Sequence, residues 1–401
     1  MTGVDRCQVA IVGAGPVGTV MATLLAQAGV DVVVLEAGDD CAQDLRASTF
    51  HSPTLEMLDQ IGITPMLLEK GLKAPVYHWR DRATGEVIEF DLSEISDVTR
   101  YPFRIQCEQY HLSRALAEGL EKYANAQVLF GHRLLTFEQD ETGVDLAIET
   151  MTGIRKMRAD ILIGADGANS IVRKWLGVEF DGFTYPERFL CLSTKTELAD
   201  HLPNLALVNY VSDPNEWLVL LRVPSLWRVL VPTDGSLGDD ELRSDAMKNG
   251  IFDRLIGDGA SVVTEHRTLY RVHQRVAKSF LNQRVMLVGD ACHLNNPLGG
   301  FGMNSGVHDA FNLFEKLMPV LNGTRGLDNL VLYDRQRREV THSFTQMQTK
   351  ENMAFIKGGQ GDAHAARRQK MLDIKQNDES RRAYLLRQAM FDSLAQAAAI
   401  Q

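Results

Sequence analysis

At 401 residues the chain is longer than one small domain and fits two lobes with a possible C-terminal appendage; 45% hydrophobic residues are enough for a sizeable core. A formal net charge of −10 argues against nucleic acid or an anionic membrane as the main partner. Five cysteines, Cys7, Cys41, Cys107, Cys191 and Cys292, are odd in number and never spaced as CxxC, which argues against a disulfide framework or a zinc site and makes the reducing cytoplasm the expected compartment. No basic stretch with a cleavage site opens the chain, so no signal peptide is expected.

The first unit, "QVAIVGAGPVGTVMATLLAQAGVDVVVLEAG", reads as β-α-β rather than as a membrane span. Val9 to Val12 is a buried strand, Val17 to Ala28 an apolar helix and Val32 to Leu35 a second strand. Between them, Gly13, Gly15 and Gly18 form GxGxxG. Gly13 permits a tight turn, Gly15 lets a pyrophosphate approach the backbone, and Gly18 lets helix and strand pack closely. Glu36 ends the second strand, 23 residues after Gly13, where an acid accepts bonds from ribose hydroxyls. These features predict a dinucleotide site and leave NAD and FAD both open.

Further along, "APVYHWRDRATGEVIEFDL" reads as a hairpin turning at Thr84-Gly85, and "EQYHLSRALAEGLEKY" as a helix. "ADILIGADGANSIVRKWLG" supplies a strand from Ile161 to Ile163, the Asp166-Gly167 turn, and a short helix from about Ser170. Alone, this is equally a simple strand-to-helix turn capped by Asn169 or Ser170. The runs "LALVNYV", "EWLVLLRV" and "LWRVLVP" read as strands of a sheet between Phe189 and Arg271.

The stretch "GDACHLNNPLGGFGMNSG", Gly289 to Gly306, follows another apolar strand, Val285 to Val288. Asp290 stands where an acid accepts bonds from a sugar-like hydroxyl chain. Gly299, Gly300 and Gly302 let a flat ligand lie on the main chain, and a helix expected from about Asn304 to Leu317 aims its positive end at that ligand. A ring that becomes anionic on reduction benefits there. Three glycine-bearing sites with one GxGxxG fit a single long ligand, FAD, better than several nucleotides. The remainder, Asp328 to Gln401, is helical and charged. Leu372, Ile374, Tyr384, Leu385, Leu386 and Met390 give it a partial apolar face on which it packs back or dimerises, the alternative being a solvated tail.

Together the first βαβ unit, "GADGANS" and the Gly289–Gly306 stretch resemble the flavin-dependent aromatic hydroxylases, the single-component group with the p-hydroxybenzoate hydroxylase fold. The likeness covers Val4 to about Arg338. It implies an α/β protein: a Rossmann-like FAD-binding domain with an inserted α+β substrate domain built on a mixed sheet, and a C-terminal helical tail. The expected division is 1–75, 106–178 and 272–345 for FAD, 76–105 and 179–271 for substrate, and 346–401 for the helical segment.

By the same resemblance, Asp290 binds the ribityl chain, the Asp166-Gly167 pair serves both FAD and the nicotinamide cofactor, and Arg46 lies along the FAD. Gln106 matches the family's flavin-contacting residue, with Arg104 a competing assignment. The full set of expected cofactor contacts is Gly13, Gly15, Pro16, Val17, Gly18, Glu36, Ala37, Arg46, Gln106, Asp166, Gly167, Asp290, Pro297, Gly300, Gly302, Met303 and Asn304, with no metal. Three positions depart from the commoner pattern. Cys292 stands where alanine is usual, Asn296 where a second proline is frequent, and Phe301 where glutamine is frequent; Asn296 and Phe301 are expected near the flavin.

The implied reaction is FAD- and NAD(P)H-dependent monooxygenation of a phenolic, other electron-rich aromatic or N-heteroaromatic small molecule with O2, through a C4a-hydroperoxyflavin. NADPH or NADH is the transient donor. The expected protein is a monomer or homodimer with no nucleic-acid or membrane partner. Pro297 is expected to stiffen the turn over the flavin face, its carbonyl toward the reacting oxygen. His51, Tyr210, His78 and His293 are candidates for a base on the substrate hydroxyl. Trp217, Trp227, Tyr210 and Phe189 are either pocket wall or plain core, and Arg222 and Arg228 either anchor a carboxylate or face solvent. Two other readings remain: a flavin reductase or dehydrogenase on the same fold, and a non-catalytic FAD-loaded binding protein.

Overall fold

The computed structural model describes residues 5–43, 47–357 and 362–401. Its first sheet is centred on the strand Asp5–Val12, which pairs in parallel with Val32–Leu35 on one side and Gly153–Gly164 on the other. Ala126–Leu129 and Val285–Leu287 extend it, also in parallel. Cys7 and the run Val9 to Val12 are all buried, the pattern of a parallel strand covered on both faces. The helices Pro16–Gln27, Gln109–Leu120 and Phe301–Leu321 supply much of that cover. The three glycine-bearing turns therefore follow three parallel strands, at the edge where open sheets of this kind bind ligands.

A second eight-stranded sheet runs in the order His293–Leu294, Thr264–Ala277, Phe180–Thr194, Leu226–Thr233, Leu218–Val223, Val208–Ser212, Val76–Asp81, Val87–Asp91. All its pairs are antiparallel except that of Val208–Ser212 with Val76–Asp81, so the sheet is mixed, as expected. The strand Thr264–Ala277 runs unbroken past residue 271. Thr49–Phe50, Arg104–Gln106 and Leu72–Ala74 form a small third sheet.

Three features differ from expectation or sharpen it. The helix expected from about Asn304 to Leu317 spans Phe301–Leu321, because Gly300 adopts the left-handed conformation (φ +71°) and ends the preceding turn. Within the helical region expected from Asp328, Val331–Val340 continues through a six-residue π-helical turn, Thr341–Gln346, into Met347–Lys357. The tail packs back. Met371, Leu385 and Ala389 join Tyr77, Trp79 and Phe90 in one core, while Met390 and Ala397 join Phe301, Val340 and Phe344 in another. Arg381–Glu94 (2.7 Å), Arg382–Asp97 (2.6 Å) and His364–Asp81 (2.8 Å) pin its outer side. The five cysteines are all free and buried, and no described helix is long and apolar enough to cross a membrane.

Candidate active site

The three glycines of the first turn separate by what surrounds them. A Cβ on Gly13 would sit 2.5 Å from the Ala165 carbonyl oxygen, and one on Gly18 would sit 2.0 Å from the Gly13 carbonyl oxygen, so both are required by packing. Gly15 has nothing within 4 Å and an ordinary φ of −72°. Nothing in the protein itself demands a glycine there, which is the signature of a backbone kept bare for a ligand. Pro16 and Val17 begin the helix whose free N–H groups face that space. Glu36 accepts from the Ala14 (2.8 Å) and Gly38 (2.9 Å) N–H groups, so its carboxylate, with Ala37 beside it, is held against the turn.

The Asp166-Gly167 turn abuts Gly13 through the Ala165 N–H, which donates to Val12 (2.8 Å). Asp166 is engaged locally: it accepts from Ser170 Oγ (2.5 Å) and from the Ile171 (2.6 Å) and Val172 (3.1 Å) N–H groups, capping the helix Ile171–Trp175. Burial raises its pKa against those bonds. Arg173, which sequence reasoning missed, donates to Ala291 (2.7 Å) and Ala168 (2.8 Å) carbonyls and so ties this turn to the segment around Asp290.

Asp290 is exposed on the 3-10 turn Gly289–Ala291. Beneath it lies a second missed feature. The fully buried Asp309 accepts from Arg337 Nε (2.6 Å), His293 Nε2 (2.7 Å) and the Gly289 N–H (3.1 Å), and Arg337 also reaches Ser305 Oγ (3.2 Å). Burial alone would raise the Asp309 carboxyl, but the charges and hydrogen bonds of His293 and Arg337 outweigh it and bring it to about 2. His293 is thereby placed in the core as a brace for the Asp290 turn. A charged residue on the buried face that also carries Val307, Ala310 and Leu313 was the available signal. Among the described residues two clusters have metal-ligand composition, Cys292/His293/Asp309 and Cys107/Glu108/His111. In the first, Arg337 already neutralises Asp309; in the second, Ser225 Oγ donates to Glu108 (2.5 Å).

Over the third turn, the Pro297 carbonyl accepts from the Gly300 N–H (3.0 Å). Asn296, where proline is frequent in the family, braces the same turn: its Oδ1 accepts from the Leu298 N–H (3.1 Å) and its Nδ2 donates to Thr349 (3.0 Å). His51 donates from Nε2 to the Gly299 carbonyl (2.7 Å). Asn304 accepts from the His51 N–H (3.0 Å) and donates to the Thr49 (2.8 Å) and Gly300 (2.7 Å) carbonyls, stitching the helix start to the small sheet. Met303 is buried in that first helical turn, and Gly302 has open space, with Asn295 the nearest group at 3.6 Å. Phe301 packs against His51 and Phe344, its ring directed to the C-terminal helices.

Around this turn, several buried polar atoms have no partner: His51 Nδ1, Gln106 Nε2, Arg104 Nε and Nη2, and the Tyr77 hydroxyl. Gln106 is held by Thr49 Oγ1, which donates to its Oε1 (3.0 Å), while a Cβ on Gly300 would lie 3.1 Å from Thr49. An unpartnered amide donor, a bare glycine turn and a helix N-terminus together suit the polar edge of a flavin, and the space beside Gly15 suits a pyrophosphate, so the residues present fit FAD. Burial, then the Arg104 charge, holds the His51 pKa well below its usual value, leaving a neutral ring.

Beside the turn, Phe189, Trp217, Val219, Leu230, Val272, Leu298 and Met353 form an apolar cluster that also touches Tyr210. Trp227 belongs to the opposite sheet face, packed with Leu190, Val229 and Phe252 and donating to Glu197 (2.6 Å), so it is core. His78 pairs there with Glu89 (3.1 Å), across the sheet from Tyr210. Arg222 sits by Glu197 (3.6 Å) and Arg228 is buried, donating to Ser48 Oγ (3.4 Å). Arg46 lies outside the described residues.

The FAD binding domain family matches residues 6–348. The chain is 34% identical over 356 residues to para-nitrophenol 4-monooxygenase of Pseudomonas sp. (strain WBC-3), covering 87% of each. It is 32% identical over 359 residues to 6-hydroxy-3-succinoylpyridine 3-monooxygenase HspB of Pseudomonas putida (strain DSM 28022 / S16), covering 88% of this chain and 91% of that one. Among solved structures, p-nitrophenol 4-monooxygenase PnpA from Pseudomonas putida DLL-E4 superposes with a TM-score of 0.91 at 30% identity, covering 98% and 99% of the two chains. The flavin-dependent monooxygenase PieE, solved with FAD and substrate, gives 0.81 at 27% identity over 99% of this chain and 72% of that one.

Proposed function

We propose, from the premise that this chain belongs to the FAD-binding family of flavoprotein aromatic hydroxylases, that its substrate is a hydroxyarene or hydroxypyridine carrying a substituent para to the ring hydroxyl, with oxygen entering at that para carbon. The protein is an FAD-dependent aromatic monooxygenase with NAD(P)H as electron donor. The para assignment is supported by the two curated relatives, whose names place oxygen at carbon 4 of p-nitrophenol and at carbon 3 of a 6-hydroxypyridine.

Bound FAD supplies hydride acceptance from NAD(P)H and the activation of O2 for electrophilic transfer to an electron-rich ring. The remaining work falls to this chain's residues. Gly15 and the N–H groups of Val17 and Gly18 take the pyrophosphate, with Pro16 fixing the turn into the helix, Glu36 and Ala37 the adenosine ribose, and Asp290 the ribityl hydroxyls. Gln106 Nε2 and the start of the helix Phe301–Leu321, with Gly300, Gly302, Met303 and Asn304, meet the flavin's polar edge, where the helix dipole favours negative charge. His51 Nε2 fixes the Gly299 carbonyl and, with Pro297, sets the turn over the flavin face, leaving Nδ1 as a bare proton acceptor. Tyr210 Oη is the group we assign to polarise the ring hydroxyl, and the Phe189–Trp217–Leu298–Met353 wall excludes water. Arg46 and the Asp166-Gly167 turn remain assigned to the cofactors.

The observation that carries this reading is likeness to two p-nitrophenol 4-monooxygenases, over 87% of each chain in sequence and over 98% and 99% of the two chains in fold. The test is NAD(P)H oxidation in air by the FAD-loaded protein across para-substituted phenols and hydroxypyridines, using isotopically heavy dioxygen. Stimulated oxidation with one heavy atom at the para carbon is expected. Stimulation that persists without oxygen, using an artificial acceptor, would establish a dehydrogenase instead, and binding without turnover a non-catalytic FAD protein.

A further inference from the structure

Arg104 and Arg337 are the largest fully buried side chains among the described residues, yet two of the three guanidinium nitrogens of Arg104, Nε and Nη2, have no partner. The third, Nη1, makes only a long contact with the Tyr210 hydroxyl (3.5 Å). No carboxylate pairs with it among the described residues. The guanidinium carbon lies 4.2 Å from the centre of the Tyr77 ring, which offers a π face but no counter-charge. A buried cation this short of acceptors is far from its lowest free energy unless something else enters.

Position decides what enters. Arg104 and Gln106 project from the same side of the strand Arg104–Gln106, two residues apart. Gln106 is held by Thr49, at the end of the small sheet nearest Gly300. Arg104 instead leans to Tyr210 and Tyr77 of the larger sheet, and Tyr210 also borders the apolar cluster containing Leu298. The two unpartnered donors thus serve different occupants.

We infer that Arg104 is the anion-recognition residue of the substrate site, taking a negatively charged oxygen on the aromatic ring through Nε and Nη2. A guanidinium fork matches a phenolate or carboxylate oxygen and lies flat on an aromatic face, neither of which an ammonium reproduces. The site therefore selects for ring charge: an aromatic with an ionised oxygen is bound over an uncharged isostere of the same shape. This deepens the monooxygenase reading and rests on it for the occupant being aromatic.

The experiment is ligand titration of the FAD-loaded protein, read by flavin absorbance and fluorescence, at alkaline pH where 4-nitrophenol is ionised. Two matched pairs are used, 4-nitrophenolate with 4-nitroanisole and 4-methoxybenzoate with 4-methoxybenzamide, so that phenolate and carboxylate recognition are told apart. Wild type should prefer the anion in at least one pair. Arg104→Met, which keeps a chain over Tyr77, should weaken that anion by roughly 10- to 100-fold and leave the neutral partner nearly unchanged. Arg104→Lys, which keeps the buried charge should the methionine variant fold poorly, should weaken the anion by an intermediate factor. The FAD dissociation constant of each variant should match wild type. A variant that loses FAD while anion preference persists would assign Arg104 to the cofactor and overturn the inference. So would equal weakening of anion and neutral partner, or a wild type with no preference. In that last case, aromatic-stimulated NAD(P)H oxidation would still stand as evidence for the monooxygenase; its absence would count against that reading as well.

Discussion

Replacing Asp309 by asparagine removes one charge from the best-shielded ionic group in the molecule while keeping its shape. Four donors converge on that carboxylate: Arg337 Nε, His293 Nε2, the Gly289 N–H and, at 3.8 Å, the Cys292 thiol. An asparagine side chain has one oxygen and turns an amide donor toward the rest, so at least one donor is left facing another, and Arg337 stays buried without a counter-ion. Breaking a buried pair from one side costs about 3–5 kcal/mol. At about 1.2 °C per kcal/mol for a protein of this size, the apoprotein should melt about 4–6 °C lower. Because the Gly289 N–H anchors the turn bearing Asp290, FAD affinity should also fall, and excess FAD should recover less of the lost melting temperature than in wild type. Thermal melts with and without FAD, together with flavin fluorescence titration, separate the two effects. The linkage has a definite sign. A carboxyl near 2 in the fold and about 3.8 in the open chain contributes stability that is present above pH 3.8 and lost as pH falls toward 2, and Asp309→Asn should lack that component. A variant melting within about 1 °C of wild type, with unchanged FAD affinity, would refute the reasoning.

Two further outcomes follow from the same coordinates. Gly15→Ala should leave apoprotein stability nearly unchanged, since a Cβ there meets nothing, while lowering FAD affinity; Gly18→Ala should destabilise the apoprotein itself, its Cβ falling 2.0 Å from the Gly13 carbonyl oxygen. Melts and FAD titrations of the pair should give opposite patterns. The buried His308, whose pKa is brought down to about 3 by burial and then by the Arg337 charge, contributes stability that is present above about pH 6.5 and lost as pH falls through 3. His308→Gln, whose amide extends to the position of Nε2 beside Thr54 Oγ1, should flatten that acid limb in pH-dependent denaturant titrations.

The cofactor half of the molecule was readable because glycine spacing and apolar runs are local signals. Val9 to Val12, Val32 to Leu35 and the strand before Asp290 all lie where periodicity put them, and each glycine turn follows a parallel strand. The start of the helix at Phe301 was missed by three residues, since a glycine-rich stretch has little propensity of its own and the left-handed Gly300 decides the boundary. The aromatic residues of the second sheet could not be sorted because both faces are buried. Alternation separates Trp227 from Tyr210 and Phe189 but does not say which face borders the cofactor. Pairings such as Asp309 with Arg337, and Arg104 with Tyr210, join segments 28 and 106 residues apart, and no window of sequence contains them.

The wide turn at Thr341–Gln346 sets the rotational phase of everything after it. Gln346, Thr349 and Asn352 reach the Leu294, Asn296 and Leu298 region only because the helix is underwound there. Tightening the turn to regular winding with every residue kept would rotate Met347–Lys357 by about 100°, carrying Thr349 and Asn352 off the loop they steady and Met353 out of the apolar wall. One surplus residue in that helix thus fixes the aim of an entire side of the apolar cluster beside the glycine turn.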